Sequence, residues 1–293
     1  DTVIMQEDMR AEGDIIHLSA PLDLVAGRHV RKAGEDFAAG DLLVSAGEQL
    51  TPARIALAAM GGHGNVSVRR PIRVAILSTG DELVPLGTPV LDDQIPASNS
   101  VMLHALLSAP ACVTTDHGIV RDDLATLTVA FASLADADII LSTGGASVGD
   151  HDHVKPALEA AGAQIDFWKI AMRPGKPFMY GRRKGQHVLG LPGNPVSALV
   201  CARLFLKPLI DALLGFPAGD DLVEARLGAS MKENDSRQDY VRATLVEAPD
   251  GTRTVTPFAK QDSSMQRTFR EAQALIVRPP KAKVAGQGDV VKI

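Results

Sequence analysis

Two apolar runs that each end in glycine constrain this chain most: RVAILSTG at 73–80 and DIILSTGG at 138–145. A run that is apolar without alternation suits a strand covered on both faces. Helical periods lie between and after them. From Ser98, Val101, Leu103, Leu106 and Leu107 share a helical face, and residues 112–120 read as a further strand. RDDLATLTVAFASLADA (121–137) puts Asp122 and Asp123 in a first turn, where the helix dipole favours acids, and DHVKPALEAAGA (152–163) stops at Gly162. Strands alternating with helices imply βαβ units on a parallel-rich sheet. Short strands at QIDFWKIA, PFMYG and HVLGL follow, and NPVSALVCARLFLKPLIDALLG reads as one long apolar helix closing at Gly215.

The flanking segments have another rhythm. Before Pro71, DTVIMQED and GDIIHLSAPLDLV read as short strands. One helix is expected at Thr51–Met60, with Thr51 as cap, Pro52 in the first turn and Gly61-Gly62 as stop. After Phe216, VEARLGA, DYVRATLVE, TRTVTPFA, EAQALIVRP and GDVVKI are strand-like, with Pro249-Asp250-Gly251 as a turn. The expected organisation is a β-rich N-terminal remnant (1–71), an α/β domain (72–215) and a small antiparallel β-barrel-like domain (216–293).

Composition excludes some classes. The net charge of −5 argues against a dedicated nucleic-acid binder. The longest apolar segment, Val196 to Leu214, is interrupted by Arg203, Lys207 and Asp211, so no membrane span is expected. Cys112 and Cys201 form no CxxC, which excludes a disulfide scaffold and a cysteine-only zinc site and suits a reducing compartment. No signal peptide is visible, so a cytoplasmic protein is expected. The chain opens at Asp1 rather than at Met.

Three patterns could carry chemistry. STGGASVGD after the second run is either a tight βα turn or a loop whose backbone N–H groups hold an anion; it is neither GxGxxG nor GxxxxGK[ST]. Between Lys169 and Lys184 stand six cations (Lys169, Arg173, Lys176, Arg182, Arg183, Lys184) and no acid. Lys169, Arg173 and Lys176 suit an oxyanion if they share the glycine rim, the alternative being a solvated hairpin face; Arg182 to Lys184 read as turn charges. Three acid pairs, Asp81/Glu82, Asp122/Asp123 and Asp150/Asp152, follow strands or loops and could hold magnesium, although Asp122 and Asp123 equally suit helix capping. His151 and His153 diverge at a helix start with no third zinc ligand. Ser78 and Ser147 lack a hydrolase partner set. GLPGNPVSA is either a rigid connection or a pocket floor.

STGDEL (78–83), GIVRDD (118–123), LSTGGASVGDHD (141–152), FWKIAMRPGKPF (167–178) and GLPGNPVSA (190–198), in this order, resemble the molybdopterin molybdenumtransferase family, the MoeA and gephyrin E-domain group. MQED and RKAGEDFAAGD fit as well. The resemblance covers essentially the whole chain, without part of the family's N-terminal segment. It implies insertion of molybdenum from molybdate into adenylated molybdopterin with release of AMP, dependent on Mg²⁺. It also implies a homodimer and contact with the molybdopterin adenylyltransferase. By matching motif positions, Glu82, Asp122, Asp152, Lys169 and Arg173 would be catalytic, with Glu82 and Asp152 on the metal. Asp36, Gly144, Gly145, Ser147, Gly149, Lys176, Pro192 and Pro195 would bind the pterin substrate. Arg173 stands where the family usually has Lys, and Ala97 where an acid is common. The alternative is a catalytically incomplete pterin-binding or scaffold protein of the same fold. The adenylylating relatives are disfavoured because they lack a C-terminal β-domain.

Overall fold

The computed structural model describes residues 1–21, 25–108, 111–145, 153–217, 219 and 222–293. Two compact units divide the chain, Asp1–Ser67 and Val68–Ile293.

In the first unit, β1 (Met9–Glu12) and β2 (Ile15–Leu18) form an antiparallel hairpin that turns at Gly13, whose φ is +61°. The strand expected at the start is absent, because a strand needs a continuous ladder and Gln6–Asp8 instead forms a 3-10 turn. Helix α1 (Pro52–Met60) begins where Thr51 Oγ1 accepts the Arg54 N–H at 3.3 Å. Ala58 is the one buried hydrophobic residue of this unit among the described residues.

The second unit begins with β3 (Ile72–Thr79), β4 (Leu83–Val84), β5 (Ile95–Pro96), α2 (Ser98–Leu106), β6 (Cys112–Val120), α3 (Leu124–Ser133), β7 (Ile139–Thr143) and α4 (Val154–Ala160). Next come β8 (Gln164–Trp168), β9 (Met172–Arg173), β10 (Met179–Arg183), β11 (Gln186–Leu191), α5 (Pro195–Cys201) and α6 (Lys207–Leu214). Six strands join in the order β6-β3-β7-β11-β10-β8. The first four run parallel, and β10 pairs antiparallel with both β11 and β8.

Alternation along β3 builds three layers. Val74 and Ile76 face one core with Leu103, Val196 and Leu206; Ala75 and Leu77 face the other with Leu127, Phe131 and Leu158. Helices α2, α5 and α6 therefore cover one face, and α3 and α4 the other. The long apolar helix is not continuous: a π-helical turn, Ala202–Leu206, separates α5 from α6. Pro208 explains this, because it has no N–H to return to the preceding turn. Arg183 is not a turn charge. It is buried and donates from Nε to Gln186 Oε1 at 2.8 Å and from Nη1 to the Phe131 carbonyl. Where the chain enters β3, Arg70 clasps Asp138 with contacts of 2.6 and 2.7 Å, and Asp138 also accepts the Arg73 N–H at 2.8 Å.

The C-terminal part comprises β12 (Glu224–Leu227), β13 (Gln238–Glu247), β14 (Arg253–Pro257), α7 (Gln266–Glu271), β15 (Ala274–Arg278) and β16 (Val290–Lys292). Its ladder, β15-β13-β14-β12-β16, stays open among the described residues, because the three-residue β16 pairs with β12 and no ladder joins it to β15. The β12–β14 pair is parallel. Strand β9 pairs with β13, tying the two sheets together. No helix among the described residues is long and apolar enough to cross a membrane.

Candidate active site on the carboxyl rim of the sheet

Parallel register sets the strand ends of β3, β7 and β11 side by side: Ser78 opposes Thr143, and Thr143 opposes Leu191. Ligands of such sheets bind outside the carboxyl ends of the strands. Each end passes into glycine, at Gly80, Gly144-Gly145 and Gly193, and the approach is close enough to explain why. A Cβ on Gly144, whose φ is +90°, would stand 1.9 Å from the Thr79 carbonyl oxygen. One on Gly145 would stand 2.4 Å from Val154 Cγ2 and 2.9 Å from Thr79 Cγ2. Gly193 lies against Gly144 in turn, its Cβ position 3.5 Å from the Gly144 Cα.

Asn99, in the first turn of α2, clamps these ends. Its Nδ2 donates to Thr143 Oγ1 at 2.8 Å and to the Gly193 carbonyl at 2.7 Å. A carbonyl can only accept, so the amide orientation is fixed. Its Oδ1 is buried without a hydrogen-bond partner. Pro192 is buried, and Pro195 opens α5, so the GLPGNP segment holds the third strand end rigidly.

Acids gather at the β3–β6 end of the rim. Glu82 folds back over the glycine turn, its Oε2 2.8 Å from where a Gly80 Cβ would lie. The Asp122 N–H donates to Asp81 Oδ1 at 3.5 Å. The two adjacent acids after β6 divide their roles. Asp123 caps α3, accepting the Thr126 N–H at 2.9 Å, and that bond lowers its pKa. Asp122 is half-buried with Oδ1 unpartnered. Burial above all raises its pKa; His153 opposes this, while Asp81, Glu82 and Asp123 add to it.

Cations occupy the other end. Strand β8 runs antiparallel to β10 and β10 antiparallel to β11, so Trp168 ends β8 on the same rim. Lys169 follows with φ +68°, its Nζ 3.8 Å from the centroid of the Trp168 ring, and Lys155 Nζ stands 5.8 Å from that ring. The Ile170 N–H donates to the Lys176 carbonyl at 2.9 Å, bringing Lys176 beside Lys169 along the backbone. Four strand spacings of about 4.8 Å separate β3 from β8, so acids and cations stand roughly 19 Å apart across the glycine turns.

Arg173 does not join Lys169 and Lys176. Its guanidinium is held by Asp239 and Asp235 of the C-terminal part. Asp36 lies exposed in the first unit. Ser147, Gly149 and Asp152, with Asp150 and His151, lie outside the described residues. Among the described residues no three His, Cys, Asp or Glu side chains are grouped to hold a metal ion. Magnesium needs fewer protein ligands, one or two carboxylates with waters and phosphate oxygens completing its shell. The unpartnered Asp122 oxygen beside Glu82 fits that pattern.

Residues 75–212 match the probable molybdopterin binding domain, 224–293 the C-terminal region (domain IV) of MoeA, and 1–62 its N-terminal region (domains I and II). A Haemophilus influenzae protein named molybdopterin molybdenumtransferase is 35% identical over 100% of this chain and 73% of its own. The chain belongs to the molybdopterin molybdenumtransferase family. A Nostoc molybdopterin molybdenumtransferase is 37% identical over 84% of this chain, and the match spans 57% of that relative's length. Among solved structures, a molybdopterin biosynthesis MoeA protein from Pyrococcus horikosii superposes with a TM-score of 0.79 at 29% identity, covering 100% of this chain and 71% of that one.

Sequence reasoning passed over two site features of this molybdenumtransferase-family chain. Asn99 could have been noticed as a lone amide opening a helical period. The ion pair of Arg173 with Asp239 spans 66 positions and leaves no local signal.

Proposed function

We propose that this chain inserts molybdenum from molybdate into adenylated molybdopterin and releases AMP. One observation carries the reading: three glycine-bearing strand ends lie between an acidic and a cationic end of one rim, in a chain related to molybdenumtransferases along its whole length. A substrate with a nucleotide and a pterin joined by pyrophosphate is elongated and anionic, and suits a rim about 19 Å long.

The backbone of the 144–145 turn receives the pyrophosphate, and Ser147 and Gly149 of the same sequence motif bind the pterin substrate. Lys169 and Lys176 offset the charge of molybdate or phosphate oxygens. Pro192 and Pro195 keep the floor rigid. Glu82 and Asp122 would hold magnesium, with Asp152 as a further ligand. When bound, magnesium supplies Lewis-acid polarisation of a phosphate oxygen. The protein's own part is positioning and charge compensation, without a covalent enzyme intermediate. A homodimer is supported by the first unit, which leaves Ile15, Ile16, Leu42 and Met60 exposed and so has apolar surface for a second copy to cover. The setting is cytoplasmic, with the molybdopterin adenylyltransferase as donor of the substrate.

Incubation with adenylated molybdopterin, molybdate and Mg²⁺ should release AMP. Glu82→Gln and Asp152→Asn should each lower turnover by about a hundredfold or more with the fold intact. Lys169→Ala should raise KM and make its dependence on salt shallower. Tight pterin binding without AMP release in the wild type would favour the scaffold alternative.

A further inference from the structure

Arg173 is held on every side that carries a donor. Nε donates to Asp239 Oδ2 at 3.1 Å, and Nη2 contacts the same carboxylate. Nη1 reaches Asp235 Oδ2 at 3.3 Å, and Nη2 reaches Asn234 Oδ1 at 3.4 Å. Asn234 is itself fixed, because its Nδ2 donates to the carbonyls of Arg237, Arg278 and Pro279. The Asp239 side chain is 14% exposed, while that of Arg173 is 45% exposed.

The backbone repeats this attachment. Met172 and Arg173 pair with Gln238 and Asp239 of β13, and the Gln238 N–H donates to the Ala171 carbonyl at 2.9 Å. Met172 is buried in the α/β core, and Gly175 packs so closely that a Cβ there would stand 2.5 Å from Cys201 Sγ. At the other end of the same loop, the Lys169 N–H donates to the Phe178 carbonyl at 3.0 Å and the Ile170 N–H to the Lys176 carbonyl at 2.9 Å. The loop therefore has its tip on the C-terminal β-sheet and its two lysines, Lys169 and Lys176, at its base.

We propose that Arg173 is a positioning residue rather than a ligand of the oxyanion, and that Asp239, assisted by Asp235, uses it as a strut to set where Lys169 and Lys176 stand on the rim. The C-terminal β-sheet thereby tunes anion binding in the α/β domain without touching the substrate. This rests on the function proposed above, but it has a readout of its own. Trp168 is the single tryptophan of the chain and carries the Lys169 ammonium against its ring, so its emission reports the base of the loop.

The experiment compares Arg173→Ala, Asp239→Asn and the double variant with the wild type, and adds Arg173→Lys as the conservative change. A strut requires both single variants to raise KM for adenylated molybdopterin by about tenfold with a much smaller change in kcat, and the double variant to be no worse than either. Both should shift Trp168 emission in the same direction without any substrate present, and Arg173→Lys should restore part of each effect. A direct ligand behaves oppositely: Asp239→Asn releases the guanidinium, so KM stays level or falls and emission stays put, while Arg173→Ala alone is damaging. That pattern would overturn the proposal. An inactive wild type with shared emission shifts would refute the proposed function while supporting the strut.

Discussion

Replacing Gly144 by alanine tests whether the convergence of strand ends is as tight as the geometry requires. The new methyl group would begin 1.9 Å from the Thr79 carbonyl oxygen, whereas ordinary contact starts at 3.4 Å. The obstacle is backbone of the central strand β3, so no side chain can rotate away to relieve it. Alanine at a φ of +90° adds about 1–2 kcal/mol of backbone strain, and forced expansion of a packed region adds about 1–3 kcal/mol. Together these reach roughly 2–5 kcal/mol, a large part of an ordinary folding stability. For a unit of this size, at about 2–4 °C per kcal/mol, the midpoint of thermal unfolding should fall by about 4–20 °C. Gly193→Ala is the matched control, because its methyl would meet the Gly144 Cα at 3.5 Å, an ordinary contact. It should stay within about 0.5 kcal/mol of the wild type. Thermal and urea unfolding of the two variants, monitored together, measure the difference. Equal stabilities for Gly144→Ala and Gly193→Ala would refute the close approach of β3 and β7 on which the glycine rim depends.

Two further outcomes follow from the carboxylates. Asp138 is held well below the usual carboxylate range by the Arg70 guanidinium and the Arg73 N–H, so the folded state binds its proton less readily than the unfolded chain. Its contribution is complete above about pH 4 and is lost as the pH falls further. With Arg70 61% exposed, the effect is screened to about 1 kcal/mol, and Asp138→Asn should remove that part of the acid limb in urea unfolding across pH. Asp122 is shifted the other way, so its ionised form is disfavoured on folding and stability declines as the pH rises through its folded pKa. In an NMR titration of its carboxyl group, Asp81→Asn should move that pKa down, and so should Mg²⁺ added to the wild type; no response to Mg²⁺ would remove Asp122 from the metal site.

The candidate site was only partly legible in the residues. STGDEL, the 144–145 glycines and Lys169 each follow a strand, and strand ends on a parallel sheet are brought to one rim by the direction of the chain. Adjacent acids of one chemistry, Asp122 and Asp123, could not be told apart, because capping and burial are decided by how β6 hands over to α3. Lys169, Arg173 and Lys176 read as one oxyanion group and Arg182 to Lys184 as turn charges, yet Arg173 is held by Asp239 and Arg183 is buried.

Local pattern alone determined the alternation of buried strands and helices, the five C-terminal strands and the capped helix at Thr51. These depend on residues near one another, whose burial period and turn chemistry are written along the chain. Tertiary structure decided the close contact of Gly144 with Thr79, the Asn99 clamp, the open C-terminal ladder and the capture of Arg173 by Asp239. Each joins segments distant in sequence, and such pairings are set by packing and by the competition of many acceptors for one donor, which no local period records.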